Sequence, residues 1–231
     1  MTAVENAGLD DLEQRTKLRA AYLGVDTATV ADVLDTMGLR HQSLATSIRP
    51  VTGLTLAGWA FTVSGATETY LGSGDPAKMA AAGEIGADEI GVWAGGGSGI
   101  AYFGELIGLG MQKRGARGVV VDGGVRDTQG LREAGVPVFA AYRSPTQSIG
   151  RWRVVDRQVP IEMPGATSAR VRVNPGDFVL GDEDGVVVVP RALAVAVLAQ
   201  ARALIETEVL VKLALAEGVS LEDCLRRFGH V

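Results

Sequence analysis

A single cysteine, Cys224, stands in this chain of 231 residues. One thiol rules out an intrachain disulfide framework and cannot build a cysteine zinc site. Histidine is almost as scarce, with only His41 and His230. That argues against zinc or iron in a nitrogen or sulfur cluster, and against a Ser-His-Asp arrangement. Aromatic residues make up 5% of the chain, so the core must come mainly from Val, Leu, Ile and Ala. The net charge is −5 and no Lys/Arg block stands out, which argues against nucleic acid as an obligate partner. The first residues lack the basic-then-apolar pattern of a signal peptide. The longest apolar helical stretch, Ala192 to Leu215, is broken by Gln200, Arg202, Glu206, Glu208 and Lys212. It reads as a packing helix and not as a membrane span. The expectation is a cytoplasmic protein with neither a nucleic-acid nor a membrane partner.

What is present is carboxylate, arginine and backbone. That combination suits Mg²⁺ or Mn²⁺, which take oxygen ligands and keep several waters. It also suits a substrate that brings its own carboxylates.

The local patterns alternate between two textures. Residues up to about Gly24 read as a helix or loose arm on the surface. Asp26-Thr27 offers an N-cap for a helix over Ala28 to Met37, with Gly38 as its stop. Short strands follow from Ile48 to Val63, with extended character continuing over Ala66 to Leu71. Gly72 to Ala77 fits a loose dinucleotide-loop pattern, but it has no clean βαβ unit around it and reads better as a turn into a helix. Lys78 to Gly83 is a short helix and Glu89 to Trp93 a strand. Thr128–Ala134 and Val136–Ala141, after a strand at Gly118–Val121, make a βαβ crossover that implies parallel pairing. Beyond Arg143-Ser144-Pro145-Thr146 come closely spaced short strands: Trp152–Val155, Val159–Glu162, Ala169–Val173, Phe178–Leu180 and Val186–Val189. Their Gly and Pro turns give β-barrel or sandwich texture. Pro190 opens a long helix, Gly218 ends it, and Ser220 caps a last short one. The fold class is therefore α/β in one domain over 1–231, with an N-terminal arm (1–25) and a C-terminal helical extension (191–231).

Gly104 to Asp127 concentrates the chemistry. The buried strand at Gly118–Val121 runs into Asp122-Gly123-Gly124, which reads as a turn. Arg126 and Asp127 then stand at the entry to the next helix, where opposite charges at the end of a buried strand are well placed for a site. Ahead of them, Gly95-Gly96-Gly97-Ser98-Gly99 could cradle an anion through its N–H groups or be a tight loop. It lacks the Gly-Lys-Ser/Thr ending of a P-loop. The helix after it starts at Ile100 or Gly104 and runs to Lys113, with Leu106, Ile107, Leu109 and Gly110 turned inward. The free N–H groups of its first turn attract carboxylates.

Gly104-Glu105-Leu106, Arg114-Gly115 through Val119–Asp127, and Pro137-Val138-Phe139-Ala140 resemble the regulator of ribonuclease activity A superfamily. Pro175–Val179 and Asp182–Pro190 strengthen the resemblance, which extends from about Asp26 to the C-terminal helix. That superfamily includes 4-hydroxy-4-methyl-2-oxoglutarate/4-carboxy-4-hydroxy-2-oxoadipate aldolases and non-enzymatic ribonuclease regulators. The resemblance implies a swivelling β/β/α domain with a βαβ core, compact β hairpins and helical extensions at both termini. It implies homotrimers or homohexamers with sites between subunits. It implies a divalent-metal-dependent lyase that cleaves a small 2-keto acid to pyruvate, with oxaloacetate decarboxylation as a related outcome. Asp127 would hold the metal, Mg²⁺ or Mn²⁺, and Arg126 would contact the substrate. The backbone of Gly104, Glu105, Leu106 and Ile107 would receive the pyruvyl carboxylate. Glu105 would be the acidic residue at the helix start, where the aldolases more usually carry Asp. Glu206 or Glu208 would reach a neighbour's site. Ala94 replaces the usual Asp before the glycine run, and Trp93, Tyr102 and Phe103 could make the pocket aromatic, although core packing suits Trp93 better.

Overall fold

One strand holds the sheet together. The computed structural model describes residues 9 and 11–230, and in it β2 (Leu56–Thr67) is a single strand of 12 residues. It pairs in parallel with β3 (Glu89–Ala94) and antiparallel with β7 (Trp152–Arg157) and β10 (Phe178–Asp182). The sheet runs from β1 (Arg49–Thr52) through β6 (Val138–Arg143), β5 (Gly118–Val125), β3, β2 and β10 to β11 (Gly185–Val189). A short β4 (Ala101–Phe103) adds to β5. The expected βαβ unit is present, with β5 and β6 parallel and α5 (Thr128–Glu133) between them. The later strands do not form a separate layer. β7, β10 and β11 extend the same sheet, and only β8 (Ile161–Pro164) and β9 (Arg170–Val173) pair apart from it.

Alternation along the strands sorts the core. Ala60, Ile90, Val92, Val120, Phe139, Val179 and Val188 face one side, together with Ile161, Met163 and Val171 from the β8–β9 hairpin. That side is the interior of a curled, nearly closed sheet whose first and last strands approach one another. The opposite side is covered by helices in two groups. Phe61, Val63, Trp93, Val119, Val121 and Val138 pack under α3 (Pro76–Glu84), α4 (Glu105–Lys113) and α5. Ala57, Trp59, Phe178, Leu180 and Val187 pack under α1 (Leu12–Tyr22), α2 (Thr27–Thr36) and α6 (Ala194–Ala216). A final helix, α7 (Leu221–Phe228), is capped by Ser220 as expected and buries Cys224. Among the described residues no helix is long and apolar enough to cross a membrane.

Three expectations change. Asp122-Gly123-Gly124 is not a turn. β5 continues through it to Val125, with a register shift between Val121 and Gly124. The small residues are needed because the neighbours come very close. A Cβ on Gly123 would stand 2.3 Å from the Tyr102 hydroxyl, and one on Gly124 would stand 2.2 Å from the Ile100 carbonyl oxygen. The chain turns instead at Asp127, whose φ of 56° is left-handed. Of the two expected starts for the next helix the later one holds, with Gly104 as N-cap and Glu105 as first residue, because Ala101–Phe103 is the strand β4. Leu106 and Gly110 are not inward residues: Leu106 is 83% exposed and Gly110 faces open space, while Gly108 and Met111 are the buried positions of α4.

The N-terminal helix is docked and not loose; residues 1–8 and 10 lie outside the described residues. Tyr22 stacks on Phe178 at 4.1 Å between ring centroids and donates to the Ala194 carbonyl at 2.7 Å. Arg19 and Arg117 both reach Asp88, at 2.9 and 2.7 Å, and the Thr16 hydroxyl also donates to it. Burial pushes the Asp88 carboxyl up, but Thr16, Arg117 and Arg19 together outweigh burial and hold it below the usual carboxylate range. A carboxylate held down in this way stabilises the fold above its unfolded pKa, and that stabilisation is lost as pH falls through the lowered folded value. Asp88→Asn, which suits the φ of 61° at this position, should therefore lower the melting temperature by several degrees at pH 7. The gap to the parent protein should close on acidification below about pH 4. Melting curves from pH 7 to pH 3 check this; a gap that stays constant would contradict it.

Candidate active site

The carboxyl ends of β4 and β5 meet the amino end of α4 at a cavity of about 480 Å³. Its walls come from Gly104, Leu106 and Ile107 of the β4–α4 junction, Arg126 and Asp127 after β5, Lys78 and Met79 of α3, and Gln147 to Ile149 before β7. Tyr102 and Phe103 close it from β4. Clefts outside the carboxyl ends of parallel strands are the usual ligand positions of open α/β sheets.

Arg126 and Asp127 lie together as expected, with Nε to Oδ2 at 3.4 Å and side chains 40% and 45% exposed. Asp127 sits at the N-cap position of α5, yet its side chain makes no capping bond, so the carboxylate is left for other partners. Gly104 allows that placement, because a Cβ there would stand 2.7 Å from Asp127 Oδ2. Gly104 also starts α4 without any side-chain cap. The first intrahelical bond made by an N–H in this segment is from Gly108 to the Gly104 carbonyl. The N–H groups of Leu106 and Ile107 are thus left for a ligand, at the positive end of the helix dipole.

Glu105 behaves differently from its neighbours. Its carboxylate lies against Gly130 of α5, where an added Cβ would fall 2.2 Å from Glu105 Cδ, and it does not line the cavity. Glu206 and Glu208 lie on α6, also outside the lining; Glu208 is paired with Lys212 at 3.2 Å and with His230 at 3.6 Å. Among the described residues no group of three or more His, Cys, Asp or Glu side chains gathers as a metal cage. The cavity offers instead one partly exposed carboxylate. That donor set fits a hard cation that keeps most of its waters, and fits nothing that needs a closed shell.

The glycine loop has an internal anion. Gly96 N–H donates to Asp122 Oδ1 at 3.1 Å, and Asp122 is 8% exposed. Burial raises the Asp122 carboxyl, against the lowering effect of the Gly96 and Gly95 amides and the Tyr102 hydroxyl. Tyr142 donates to the Gly97 carbonyl, and Ser144 Oγ donates to that of Gly99 at 2.7 Å. The loop is tied down from three sides and does not line the cavity. Trp93 is core, as its sequence context suggests, stacked edge-on against Phe103 at 5.7 Å.

Two further residues shape the site. Lys78 is 5% exposed, donates from Nζ to Ser148 Oγ at 2.6 Å, and stands 5.0 Å from the centre of the Trp152 ring. Burial lowers the Lys78 ammonium to about 8, against the opposing effect of Asp75 and with a further lowering from Arg126. Trp152 is fully buried and stacks on Tyr102 at 4.3 Å with 7° between the planes. Lys78 shares a helix face with Ala81, Ala82 and Ile85, all buried, so its spacing already marks it as inward. Ser148 carries no such signal, since it comes from a loop.

The α/β sheet brings an uncapped helix start, an arginine and one partly exposed carboxylate around a single cleft, a donor set that suits a small anion. The chain belongs to the RraA-like family, whose model, described as Aldolase/RraA, matches residues 27–188. A putative 4-hydroxy-4-methyl-2-oxoglutarate aldolase of Deinococcus radiodurans is 38% identical over 101 residues, which are 43% of this chain and 59% of that one. The 4-hydroxy-4-methyl-2-oxoglutarate aldolase of Thermus thermophilus is 40% identical over 89 residues, 38% of this chain and 49% of that one. The matched stretch thus spans about half the length of these two relatives. Among solved structures, RraAS2 of Streptomyces coelicolor, described as an unusual member of the RNase ES inhibitor RraA protein family, aligns with a TM-score of 0.74 and 25% identity. That alignment covers 85% of this chain and 97% of the other.

Proposed function

We propose that the protein is a divalent-metal-dependent lyase that cleaves a small 2-keto acid of the 4-hydroxy-4-methyl-2-oxoglutarate type to pyruvate. The observation that carries this reading is the convergence of Arg126, Asp127 and the uncapped start of α4 on one cavity. The aldolase names of relatives about 40% identical over the matched stretch support it.

The N–H groups of Leu106 and Ile107 receive the substrate's 1-carboxylate. Arg126 donates to the 2-keto oxygen, and Asp127 would hold a Mg²⁺ or Mn²⁺ ion, which would supply Lewis-acid neutralisation of developing negative charge. The C3–C4 bond breaks, its electron pair passes into the enolate, and Arg126 stabilises the charge that develops. The alcohol at C4 loses its proton and becomes the departing carbonyl, while C3 takes a proton to give pyruvate. Glu105 serves as the proton acceptor through an intervening water, because its carboxylate lies outside the cavity lining. With oxaloacetate the same C3–C4 bond breaks, the C4 carboxylate departs as CO₂ with no proton to give up, and C3 of the enolate takes its proton from water. The active form is a homotrimer or homohexamer in the cytoplasm, and the exposed apolar residues Val209, Leu210 and Leu213 on α6 support association of copies.

Pyruvate release, coupled to lactate dehydrogenase, tests the proposal with 4-hydroxy-4-methyl-2-oxoglutarate and oxaloacetate offered separately. Turnover with Mg²⁺ should fall at least about a hundredfold in EDTA and return when Mg²⁺ is restored. The structural likeness to RraAS2 favours a second reading, a non-catalytic regulator of RNA processing. Folded protein that releases no pyruvate with or without metal, and that retains a ribonuclease in a pull-down, would favour the regulator.

A further inference from the structure

Lys78 is expensive to keep where it is. The other lysines, Lys17, Lys113 and Lys212, are exposed, while Lys78 is buried at the cavity wall. A buried ammonium costs free energy unless an anion or several acceptors compensate it. Among the described residues no carboxylate comes within ion-pair distance of its Nζ; its contacts are the Ser148 hydroxyl and the face of Trp152. Asp75 is adjacent in the fold, but both its oxygens serve the backbone. Oδ1 accepts from Lys78 N at 3.1 Å and Oδ2 from Val154 N at 2.9 Å. An ammonium has three donors, and Ser148 takes one. Because Lys78 Nζ is the donor in that bond, the hydroxyl proton of Ser148 is also left for a ligand. A methionine would fill the same space on α3 without the desolvation cost.

We propose that Lys78 and Ser148 form an anion subsite that receives the second carboxylate of a dicarboxylic 2-keto acid, so that this wall selects dianionic over monoanionic ligands. The inference rests on reading the cavity as a 2-keto-acid site. In that reading the start of α4 accounts for one carboxylate and Arg126 for the 2-keto oxygen, while Lys78 and Ser148 come from separate elements, α3 and the segment before β7. Two cationic heads, Arg126 and Lys78, thus share a cavity of about 480 Å³ in which Asp127 is the carboxylate not spent on backbone. The charge balance matches a ligand with two negative ends.

Two five-carbon probes separate the ends. 2-Oxoglutarate carries the second carboxylate, and 2-oxovalerate has the same chain without it. By calorimetry at pH 7 the parent protein should bind 2-oxoglutarate the more tightly. Lys78→Met should weaken 2-oxoglutarate by about tenfold or more and leave 2-oxovalerate within about twofold. The preference should also decline as pH rises through about 8, where Lys78 loses its charge. The charged or titratable groups around it are Asp75, Arg126 and Tyr102, and burial holds the Tyr102 phenol above its usual range. Equal losses for both probes, no change for either, or no binding of 2-oxoglutarate to the parent protein would overturn the subsite. A measurement on the unaltered protein guards against a misfolded variant: acetylation of Lys78 by acetic anhydride, read by mass spectrometry, should be slowed by 2-oxoglutarate and not by 2-oxovalerate. Protection by both or by neither would overturn it. Pyruvate is read in none of these experiments, so the lyase proposal and the subsite can fail independently.

Discussion

Asp127→Asn should abolish metal-dependent pyruvate release, with a loss of at least about a hundredfold in kcat/KM, and leave the fold standing. The choice of asparagine matters. Asp127 has a φ of 56°, a region that asparagine and aspartate enter more readily than other side chains. Alanine would add backbone strain of about 1 kcal/mol or more to whatever the lost charge costs, and the two could not be separated. Asparagine keeps the shape and the backbone and removes only the charge. The side chain makes no capping bond to α5, and its contact with Arg126 is partly exposed, so little stability depends on it. The coupled assay with Mg²⁺ reads the activity, and thermal denaturation reads the fold. Full metal-dependent turnover in Asp127→Asn would show that another group holds the metal.

Trp152→Ala should destabilise the fold by about 3–5 kcal/mol. Domains of this kind are stable by only about 5–15 kcal/mol, so the loss is a large share of the whole. Trp152 lies between the sheet and the site. Its ring stacks on Tyr102 at 4.3 Å and on Trp93 at 6.3 Å, and it fills space that Gly65 and Gly95 leave open. Cβ atoms at those glycines would fall 1.9 and 2.4 Å from the ring, so no small rearrangement refills the volume. Lys78 and Tyr102 would lose the surface against which they rest. Trp152→Phe should recover most of the loss, because a planar ring still stacks there. Urea denaturation of the three proteins gives the comparison; a loss below about 1 kcal/mol for alanine would show that the pocket collapses onto the gap.

Local chemistry made much of this molecule legible before the structure. Asp26 caps α2, Pro76 opens α3 and Ser220 caps α7, each by a rule that acts within four residues. The β5–α5–β6 crossover and the Arg126–Asp127 pair follow from a strand, a turn and a helix in immediate succession. The start of α4 was legible as a helix N-terminus without a side-chain cap, because that feature is set by Gly104 and the backbone alone. What sequence reasoning missed depends on partners distant in the chain. Asp122-Gly123-Gly124 looks like a turn until β4 and Tyr102 arrive to hold it extended. The glycine loop looks like a cradle until Asp122, 26 positions away, occupies it. Lys78 looks like an ordinary helix lysine, although Ala81, Ala82 and Ile85 on its face could have marked it as buried. Its partners Ser148 and Trp152 are 70 or more positions on, and no periodicity links them to it.

The long strand β2 also sets an order of events during synthesis. Its Trp59–Ser64 half finds β3 within about 30 residues, but Leu56–Trp59 must wait for Phe178–Gly181. At elongation rates of about 5–20 residues per second, those roughly 120 intervening residues leave one stretch of backbone unpaired for about 6–24 s. The nascent chain therefore carries an open, apolar strand edge at Leu56–Trp59 while about half of the 231 residues are made. The α1 helix emerges before that edge. In the folded chain Arg15 lies over Trp59 and its backbone carbonyl accepts from the indole N–H, so α1 covers one face of that stretch while its edge is closed by β10.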